Sequence, residues 1–394
     1  MEAERDMASL RVRGLEALRD VTGLRRALLA WYRRAHRDMP WRRTRDPYRV
    51  WVSEIMLQQT QVVTATPYWL RFMERFPDVT ALARARRDDV LAAWAGLGYY
   101  RRARLLHEAA GIVVREHGAA VPSDPTAFGA LPGVGRYTLG AVLSISFGRP
   151  LPVLDGNVAR VFSRWTGQPL VVKRPGDAKT LWAMAEALMP APGKVRRPVA
   201  PGDWNQALME LGALVCTPRS PNCGTCPVRR HCVAYATGQQ ESLPPPADRR
   251  AVVRVRRAMA VIEHDGRVLL AKREGAHLDG LWEPPSVELA RGDDAVARLT
   301  ERLAQLGVRA TLRATTQRFA HTITHHAIDV RVWRGTLLGR APRGNARVRW
   351  ASRTGGALAL TALATRVLAA GRASGPTAKR AARTTRTARV TRRG

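Results

Sequence analysis

The sequence lacks any uninterrupted apolar run of the roughly 20 residues that a membrane-spanning helix requires. Its first segment, Met1–Asp20, is charged and has no apolar stretch of the kind found in secretory signal peptides. We therefore expect a cytoplasmic protein. Cysteine is also scarce, with four residues in 394. Because cytoplasmic cysteines rarely form disulfides, their clustered spacing points to a metal site.

Carboxylates are few in relation to basic residues. The chain has 32 Asp and Glu against 65 Lys and Arg, which gives a formal net charge of +33. Such an excess favours a polyanionic partner, since neutralising phosphates releases condensed counterions. The alternative is a GC-rich genome that favours arginine, with a basic tail that inflates the total. Charge therefore predicts phosphate contact and leaves the chemistry open.

Composition divides the chain into five segments. Residues 1–22 are an N-terminal extension, and residues 23–236 have helical periodicity. A linker at residues 237–250 contains three consecutive prolines. Residues 251–370 contain short alternating stretches, whereas residues 371–394 are rich in Ala, Thr and Arg and predict a disordered basic tail. The predicted strands are Ala258–Glu263, Arg267–Lys272, Ile328–Trp333 and Arg347–Ala351, with a helix at Asp294–Leu306.

The four cysteines share one short segment with the spacing C-x6-C-x2-C-x5-C, at Cys216, Cys223, Cys226 and Cys232. Four thiolates could also bind structural zinc, although zinc sites usually pair their ligands as two CxxC knuckles. The spacing resembles the [4Fe–4S] loop of the endonuclease III and adenine glycosylase superfamily. That resemblance implies a [4Fe–4S] cluster with these four ligands. It also implies a loop that presents basic residues to DNA, here Arg219, Arg229, Arg230 and His231.

A glycine-containing turn, Leu131–Gly135, separates two predicted helical stretches. Backbone N–H groups of such a turn can bind a phosphate oxygen, although an ordinary helix connection is the alternative. Asp155 follows about twenty residues later, where by itself it could simply cap a helix. Together, the hairpin and the aspartate resemble the helix-hairpin-helix glycosylase superfamily. The resemblance implies that Asp155 stabilises an oxocarbenium-like transition state at the sugar.

Position 137 bears on the catalytic subtype. Bifunctional members of the superfamily carry a lysine in the second hairpin helix, and its amine attacks the sugar at C1′. Here the run reads Gly135-Arg136-Tyr137-Thr138, with tyrosine in the place of that lysine. A phenol cannot form a Schiff base. The sequence therefore predicts a monofunctional enzyme whose β-lyase activity is weak or absent.

A glutamate lies inside an apolar helix. Asp46-Pro47-Tyr48 predicts a helix start, and the run continues through Glu54 to Gln61. An interior glutamate is usually paired or reaches solvent, which is the structural alternative. The stretch resembles the adenine glycosylase signature, which implies that Glu54 protonates adenine N7 and later activates water. An apolar pocket would raise the pKa of this carboxyl, as that role requires.

The same resemblance implies further contacts with the substrate or DNA. Gln59 and Tyr99 would enter the base stack that the adenine leaves, and Trp41 and Arg42 would form part of the pocket wall. A buried core tryptophan and a helix-end tyrosine are the alternatives for Trp41 and Tyr99. The remaining expected contacts are Leu57, Gln58, Thr60, Gly133, Gly135, Tyr137, Asn157 and Glu210, of which Tyr137 and Glu210 border the pocket.

The segment Gly266–Glu288 resembles the start of a Nudix-like α/β domain. Nudix pyrophosphatases need a helix with an Arg-Glu-x-x-Glu-Glu run, whereas Ala295–Gly307 offers only Glu301, so nucleotide hydrolysis is not expected. In adenine glycosylases this domain recognises 8-oxoguanine through a Phe-Ser-His loop. We align that loop with Ile323-Thr324-His325, which implies contacts from Thr324 and His325. The alternative register, Phe319-Ala320-His321, keeps the phenylalanine and loses the hydroxyl.

The resemblance covers about Leu24 to Ala369. It implies a mainly α helix-hairpin-helix glycosylase domain with an iron–sulfur cluster loop, followed by an α/β Nudix-like domain. The implied function is removal of adenine opposite 8-oxoguanine or guanine in double-stranded DNA, by a nucleoid-associated monomer. Two alternatives stay open: an endonuclease III-like glycosylase-lyase acting on oxidised pyrimidines, and a non-catalytic iron–sulfur DNA-binding protein. Tyr137 and the second domain argue against the lyase; Glu54 with Asp155 argues against a purely binding role.

Overall fold

The computed structural model describes Leu15, Leu18 and residues 20–190, 200–246, 251–274 and 278–370. The predicted tail, most of the predicted N-terminal extension and the end of the linker lie outside the described residues. Contacts between Cα atoms divide the chain into two compact units. The first comprises Met1–Arg84 and Leu105–Arg249; the second comprises Ala85–Arg104 and Arg250–Gly394. Within the described ranges, no helix has the length and apolarity needed to cross a membrane.

The N-terminal part of the chain is built from helices that confirm the predicted periodicity. The helix predicted from Asp46 starts at Pro47, and the helical stretch predicted after Gly135 starts at Arg136. Helix α5 and the first turn of α6 belong to the second unit. The helices are α1 (Val21–Ala35), α2 (Pro47–Leu57), α3 (Val62–Arg75), α4 (Val79–Arg84), α5 (Arg87–Ala93), α6 (Arg101–Glu116), α7 (Pro125–Gly129), α8 (Arg136–Phe147), α9 (Gly156–Thr166), α10 (Pro175–Ala187), α11 (Pro201–Leu214) and α12 (Val233–Ala236), with short 3₁₀ turns at Pro40–Arg42, Cys223–Thr225 and Arg229–His231.

Capping residues fix where the helices around the site begin and end. The carboxylate of Asp46 accepts a hydrogen bond from the Arg49 N–H, and Pro47 occupies the first turn of α2, where no backbone donor is needed. Helices α8 and α9 end at Gly148 and Gly167, which adopt φ of 66° and 68°. Glycine takes this left-handed conformation without the Cβ clash of other residues, so both helices stop there.

The core of the first unit forms where apolar faces of successive helices meet. Helix α9 contributes the largest share of the buried apolar residues in this cluster. Its Phe162 and Trp165 are essentially inaccessible to solvent and pack together. Helix α11 contributes Trp204 and Leu208 to the same cluster. The partly buried cysteines Cys216, Cys226 and Cys232 pack against it. This core therefore positions both the segment before α9 and the cysteine-containing loop.

The second unit contains a sheet with the strand order β3-β2-β1-β6-β5 among its described residues, with β4 paired to β1 and β7 to β2. The central strands β1 and β6 are parallel, and the neighbouring pairs are antiparallel. Strands β5 and β6 form a hairpin whose connection is Thr324-His325. The strands are β1 (Val253–His264), β2 (Arg267–Lys272), β3 (Trp282–Glu283), β4 (Ser286–Leu289), β5 (Ala310–Ile323), β6 (His326–Leu337) and β7 (Val348–Ala351).

Helices cover both faces of this sheet. Alternate residues of β1 point in opposite directions: Ala258 clusters with Leu299 of α13 (Ala295–Gln305), and Met259 clusters with Leu363 of α14 (Ala362–Ala370). All four predicted strands and the predicted helix are confirmed. The sequence analysis missed β3, β4, the long β5 and the helix α14. Strand β5 is rich in Thr and Arg and its exposure alternates only between half-buried and exposed, so its apolar alternation is weak.

Candidate active site

A cavity of about 510 Å³ opens in the first unit, between α2, α8, α11 and the segment before α9. It brings together residues that are far apart in the sequence. A volume of this size falls within the range of small-molecule binding sites. The predicted site residues that line the cavity are Trp41, Arg42, Glu54, Leu57, Thr60, Tyr137, Asp155, Asn157 and Glu210.

Glu54 lies on α2 with its carboxyl inside this cavity, and the residue is 5% exposed. The Tyr137 hydroxyl donates a hydrogen bond to Glu54 Oε2 at 2.8 Å. Burial raises the pKa of Glu54 to about 7, because the charged form loses hydration. The Tyr137 hydrogen bond and nearby Arg42 lower this pKa, whereas Asp155 raises it. This upward shift is the one expected from the sequence. With a pKa of about 7, a large fraction of Glu54 is protonated near neutral pH.

Asp155 caps helix α9 and lines the cavity at the same time. Its Oδ1 accepts the Val158 N–H at 2.8 Å, and its Oδ2 accepts the Asn157 side-chain amide at 3.1 Å. Burial raises the pKa of Asp155, and these hydrogen bonds oppose the rise because they favour the ionised form. The structural and functional readings of Asp155 are therefore compatible, since the cap fixes the carboxylate at the cavity wall.

A chain of hydrogen bonds connects this aspartate with the cysteine-containing loop. Asn157, which bonds Asp155, accepts a hydrogen bond from Arg160 Nη2 at 2.9 Å. The same guanidinium donates to the Gly212 carbonyl at 2.7 Å, and its Nε donates to the Cys216 carbonyl at 2.7 Å. The sequence analysis missed Arg160, although its place on the helix that Asp155 caps was a usable signal.

Glu210 anchors the opposite wall of the cavity. Its side chain is 1% exposed and forms ion pairs with Arg37 at 2.7 Å and Arg42 at 2.9 Å. Burial alone would raise the pKa of Glu210, but hydrogen bonds from the two arginines outweigh it and lower the pKa to about 2. Trp41 is buried and packs edge-on against Trp69. It therefore belongs to the core and also lines the cavity.

The remaining first-unit residues of the predicted set lie in two turns. Gln58 ends α2 and donates to the Thr138 hydroxyl at 3.2 Å, whereas Gln59 is exposed with a positive φ of 58°. Gly133 has φ of 80°, and Gly135 is the extended N-cap of α8. At Gly133 an added Cβ would come within 2.9 Å of Leu105 Cβ. The hairpin turn therefore requires glycine at this position.

Tyr99, Thr324 and His325 belong to the second unit. Tyr99 is 47% exposed, has a positive φ of 48° and receives the Arg102 guanidinium 5.4 Å from its ring centre. Thr324, which is exposed and also has a positive φ, and the half-buried His325 connect β5 to β6. Their side chains lie 3.3 Å apart, Thr324 Oγ1 to His325 Nδ1. An exposed aromatic and a polar hairpin tip both suit contact with a partner.

The four cysteines form no disulfide and line one small cavity together with Arg164 and Trp165. Burial raises the pKa of Cys226 to about 12 and of Cys232 to about 11, so thiolates here need a bound cation. Four thiols around one cavity provide the ligand set of a [4Fe–4S] cluster, in which each iron takes one thiolate. When bound, the cluster cross-links the loop.

The sequence analysis also missed other cavity residues. Arg37, Met209 and Val63 line the cavity, and Val63 is 76% exposed. Arg37 lies shortly before the Trp41-Arg42 pair, and Met209 precedes Glu210 on α11. Proximity to predicted residues was the only sequence signal for these positions, because none of them carries a motif of its own.

Comparison with protein-family models gives three matches along the chain. Residues 52–175 match the HhH-GPD superfamily of base excision DNA repair proteins, residues 216–232 the iron–sulfur binding domain of endonuclease III, and residues 257–370 the NUDIX domain. These matches confirm the predicted fold class and the predicted [4Fe–4S] cluster; the iron–sulfur match spans the segment that contains the four cysteines. They define a helix-hairpin-helix repair protein with an iron–sulfur loop and a Nudix-like domain.

Comparison with individual proteins identifies the family within this class. The chain is 46% identical over 233 residues to the adenine DNA glycosylase of Homo sapiens, a match that covers 57% of this chain and 41% of that one. It is 35% identical to the adenine DNA glycosylase of Buchnera aphidicola subsp. Schizaphis graminum, covering 62% and 69%, and 31% identical to that of subsp. Acyrthosiphon pisum, covering 76% and 83%. The chain belongs to the adenine DNA glycosylase family. Its match spans less than half the length of the human relative.

Proposed function

We propose that this protein is a monofunctional DNA glycosylase that removes adenine mispaired with 8-oxoguanine or guanine by hydrolysing the N-glycosidic bond. The observation that carries the proposal is a cavity that holds a buried carboxyl, Glu54, and a capped carboxylate, Asp155. Membership in the adenine DNA glycosylase family supports adenine as the excised base. The relevant product is an abasic site in an otherwise intact strand.

In the proposed mechanism, basic surface and the amides of the Leu131–Gly135 turn bind phosphates while the adenine is extruded into the cavity. Extrusion is necessary because the reacting bond is inaccessible inside the duplex. The neutral Glu54 carboxyl then protonates adenine N7, which makes the base a better leaving group. Its pKa of about 7 leaves enough of the acid form for this step.

Bond cleavage leaves positive charge on the sugar, and the Asp155 carboxylate is placed to stabilise it. Two hydrogen bonds to Asp155 favour its ionised form and oppose the effect of its burial. Glu54, now deprotonated, can accept a proton from the attacking water. Tyr137 has no amine to attack C1′, so the strand should remain unbroken. This is the basis for a monofunctional reaction.

Selection of the mispair would involve the second unit. The polar hairpin tip Thr324-His325 is our candidate for contact with 8-oxoguanine, and Tyr99 with Gln59 for the base stack. The net charge of +33 supports double-stranded DNA as the partner and a nucleoid-associated location. Action as a monomer is part of the same proposal.

The test is a single-turnover assay on end-labelled duplexes with 8-oxoguanine·adenine, guanine·adenine or thymine glycol·adenine, each divided with and without alkali. We expect cleavage of the adenine strand only after alkali. Glu54→Gln should abolish excision and leave duplex affinity nearly unchanged, and Asp155→Asn should also lose activity. Nicking at thymine glycol without alkali would instead indicate a glycosylase-lyase, and tight binding without cleavage a DNA-binding protein.

A further inference from the structure

The Tyr137 hydroxyl has two hydrogen-bond acceptors within reach. It lies 2.8 Å from Glu54 Oε2 and 3.1 Å from Met209 Sδ. A phenol has a single hydrogen, so it can donate to only one of these groups at a time. Met209 lines the cavity on α11, directly before Glu210. The choice between the two acceptors must depend on the protonation of Glu54.

When Glu54 is ionised it has no hydrogen to give, and Tyr137 donates to the carboxylate. When Glu54 is protonated, its own O–H can donate to the Tyr137 oxygen. The phenolic hydrogen is then free to turn toward Met209 Sδ. A thioether is a weak acceptor, but without it this hydrogen would be left unpaired in a confined site, which is unfavourable.

We propose that Met209 is a positioning residue that favours the protonated state of Glu54 by accepting the phenolic hydrogen of Tyr137. The inference rests on the proposed function, in which neutral Glu54 is the acid. The Tyr137 hydrogen bond by itself lowers the pKa of Glu54, since it stabilises the carboxylate. Met209 offsets part of that effect by giving the same hydroxyl a partner in the other protonation state.

Other charged groups facing Glu54 are distinct from this network. Asp155, before α9, raises the pKa of Glu54, and Arg42, in the 3₁₀ turn, lowers it. Glu210 pairs with Arg42 and Arg37 at the opposite wall. Replacing Met209 by another neutral side chain changes none of these charges. A change in the titration of Glu54 would therefore come either from the Tyr137 hydroxyl or from altered packing, and the Tyr137→Phe background distinguishes the two.

Met209→Leu removes the sulfur acceptor at nearly constant volume. Losing one modest hydrogen bond from the neutral state should lower the pKa of Glu54 by about half a unit to one unit. At a pH above that pKa, the protonated fraction should fall about three- to tenfold. Met209→Gln offers an amide oxygen as a replacement acceptor and should preserve most of the wild-type titration.

The experiment is a pH titration by NMR of the full-length protein labelled with ¹³C at the glutamate carboxyls. The Glu54 signal is assigned by its loss in Glu54→Gln. Wild type, Met209→Leu, Tyr137→Phe and the double variant form a cycle. We expect Met209→Leu to lower the pKa, Tyr137→Phe to raise it, and Met209→Leu to have no further effect once Tyr137 is phenylalanine.

An unchanged Glu54 pKa in Met209→Leu would overturn the inference. An equal shift in the Tyr137→Phe background would also overturn it, because that result indicates a packing effect that bypasses the hydroxyl. The titration does not require turnover. The expected shifts in a protein that fails to excise adenine would therefore support the hydrogen-bond network and refute the proposed function separately. In an active protein, the falling limb of the single-turnover pH profile should move by the same amount.

Discussion

Neutralising Glu210 is expected to destabilise the first unit, because its carboxylate is buried between two arginines. The side chain is 1% exposed and contacts Arg37 and Arg42 at 2.7 and 2.9 Å. Burial opposes ionisation, but the arginine hydrogen bonds outweigh it and lower the pKa from 4.5 to about 2. A shift of that size corresponds to at most about 3 kcal/mol of stability at neutral pH, and about 2 kcal/mol after allowing for the partial exposure of Arg37.

The pH dependence of this contribution follows from the direction of the shift. Since the folded-state pKa is depressed, the stabilisation is fully present well above 4.5 and is lost as the pH falls toward 2. Glu210→Gln should therefore cost about 2 to 3 kcal/mol at pH 7, and the difference from wild type should shrink by about 1 kcal/mol at pH 4.

Urea denaturation followed by circular dichroism at both pH values measures these differences. Glu186→Gln is the matched control, because Glu186 pairs with Arg136 on the surface with 55% of its side chain exposed. An exposed pair of this kind is expected to contribute less than about 1 kcal/mol. A Glu210→Gln protein as stable as wild type, or a loss of stability equal at pH 7 and pH 4, would refute the role of the buried charge.

Two further substitutions test the hairpin and the connection with the cysteine-containing loop. Gly133→Ala should cost about 1 to 2 kcal/mol in the same denaturation assay, because φ is 80° and Leu105 occupies the space that a Cβ would need. Gly135→Ala, where that space is open, should be nearly neutral. Equal losses of stability in the two variants would contradict the requirement for glycine at position 133. Arg160→Leu removes the hydrogen bond to the Cys216 carbonyl and should speed loss of cluster absorbance under chelation while lowering single-turnover excision of adenine at least tenfold. Wild-type values for both would show that this connection is dispensable.

Much of the fold could be predicted because local chemistry and tertiary packing agree. Asp46, Pro47 and Gly148 mark helix ends by capping and φ preferences that act within a few residues. The continuous apolar runs of β1 and β2 reflect their burial under helices on both faces of the sheet. Strand β5 was missed because pairing with β6 stabilises its extended conformation, whereas its own side chains are largely polar. A partner strand supplies information that the segment itself does not contain.

The site was predictable to the extent that its residues belong to sequence motifs. Glu54 and Asp155 were found through short motifs that resemble those of a known family. Arg160 and Met209 were missed because their contacts connect positions 56 and 72 residues apart, which no local pattern encodes. Supporting groups of this kind determine the protonation and placement of the motif residues. They become visible only once the helices are packed.

The cavity holds two buried carboxyl groups whose hydrogen-bond surroundings differ. Both Glu54 and Asp155 are buried, and burial raises both pKa values. Asp155 begins a helix, so it accepts a backbone N–H and the N-terminal end of α9 favours its negative charge. Glu54 lies within α2, where the backbone donors are already used, and its carboxyl accepts a hydrogen bond from the phenol of Tyr137. The helix position of each residue thus favours the ionised form of Asp155 more than that of Glu54, which is the difference that the proposed acid and anion roles require.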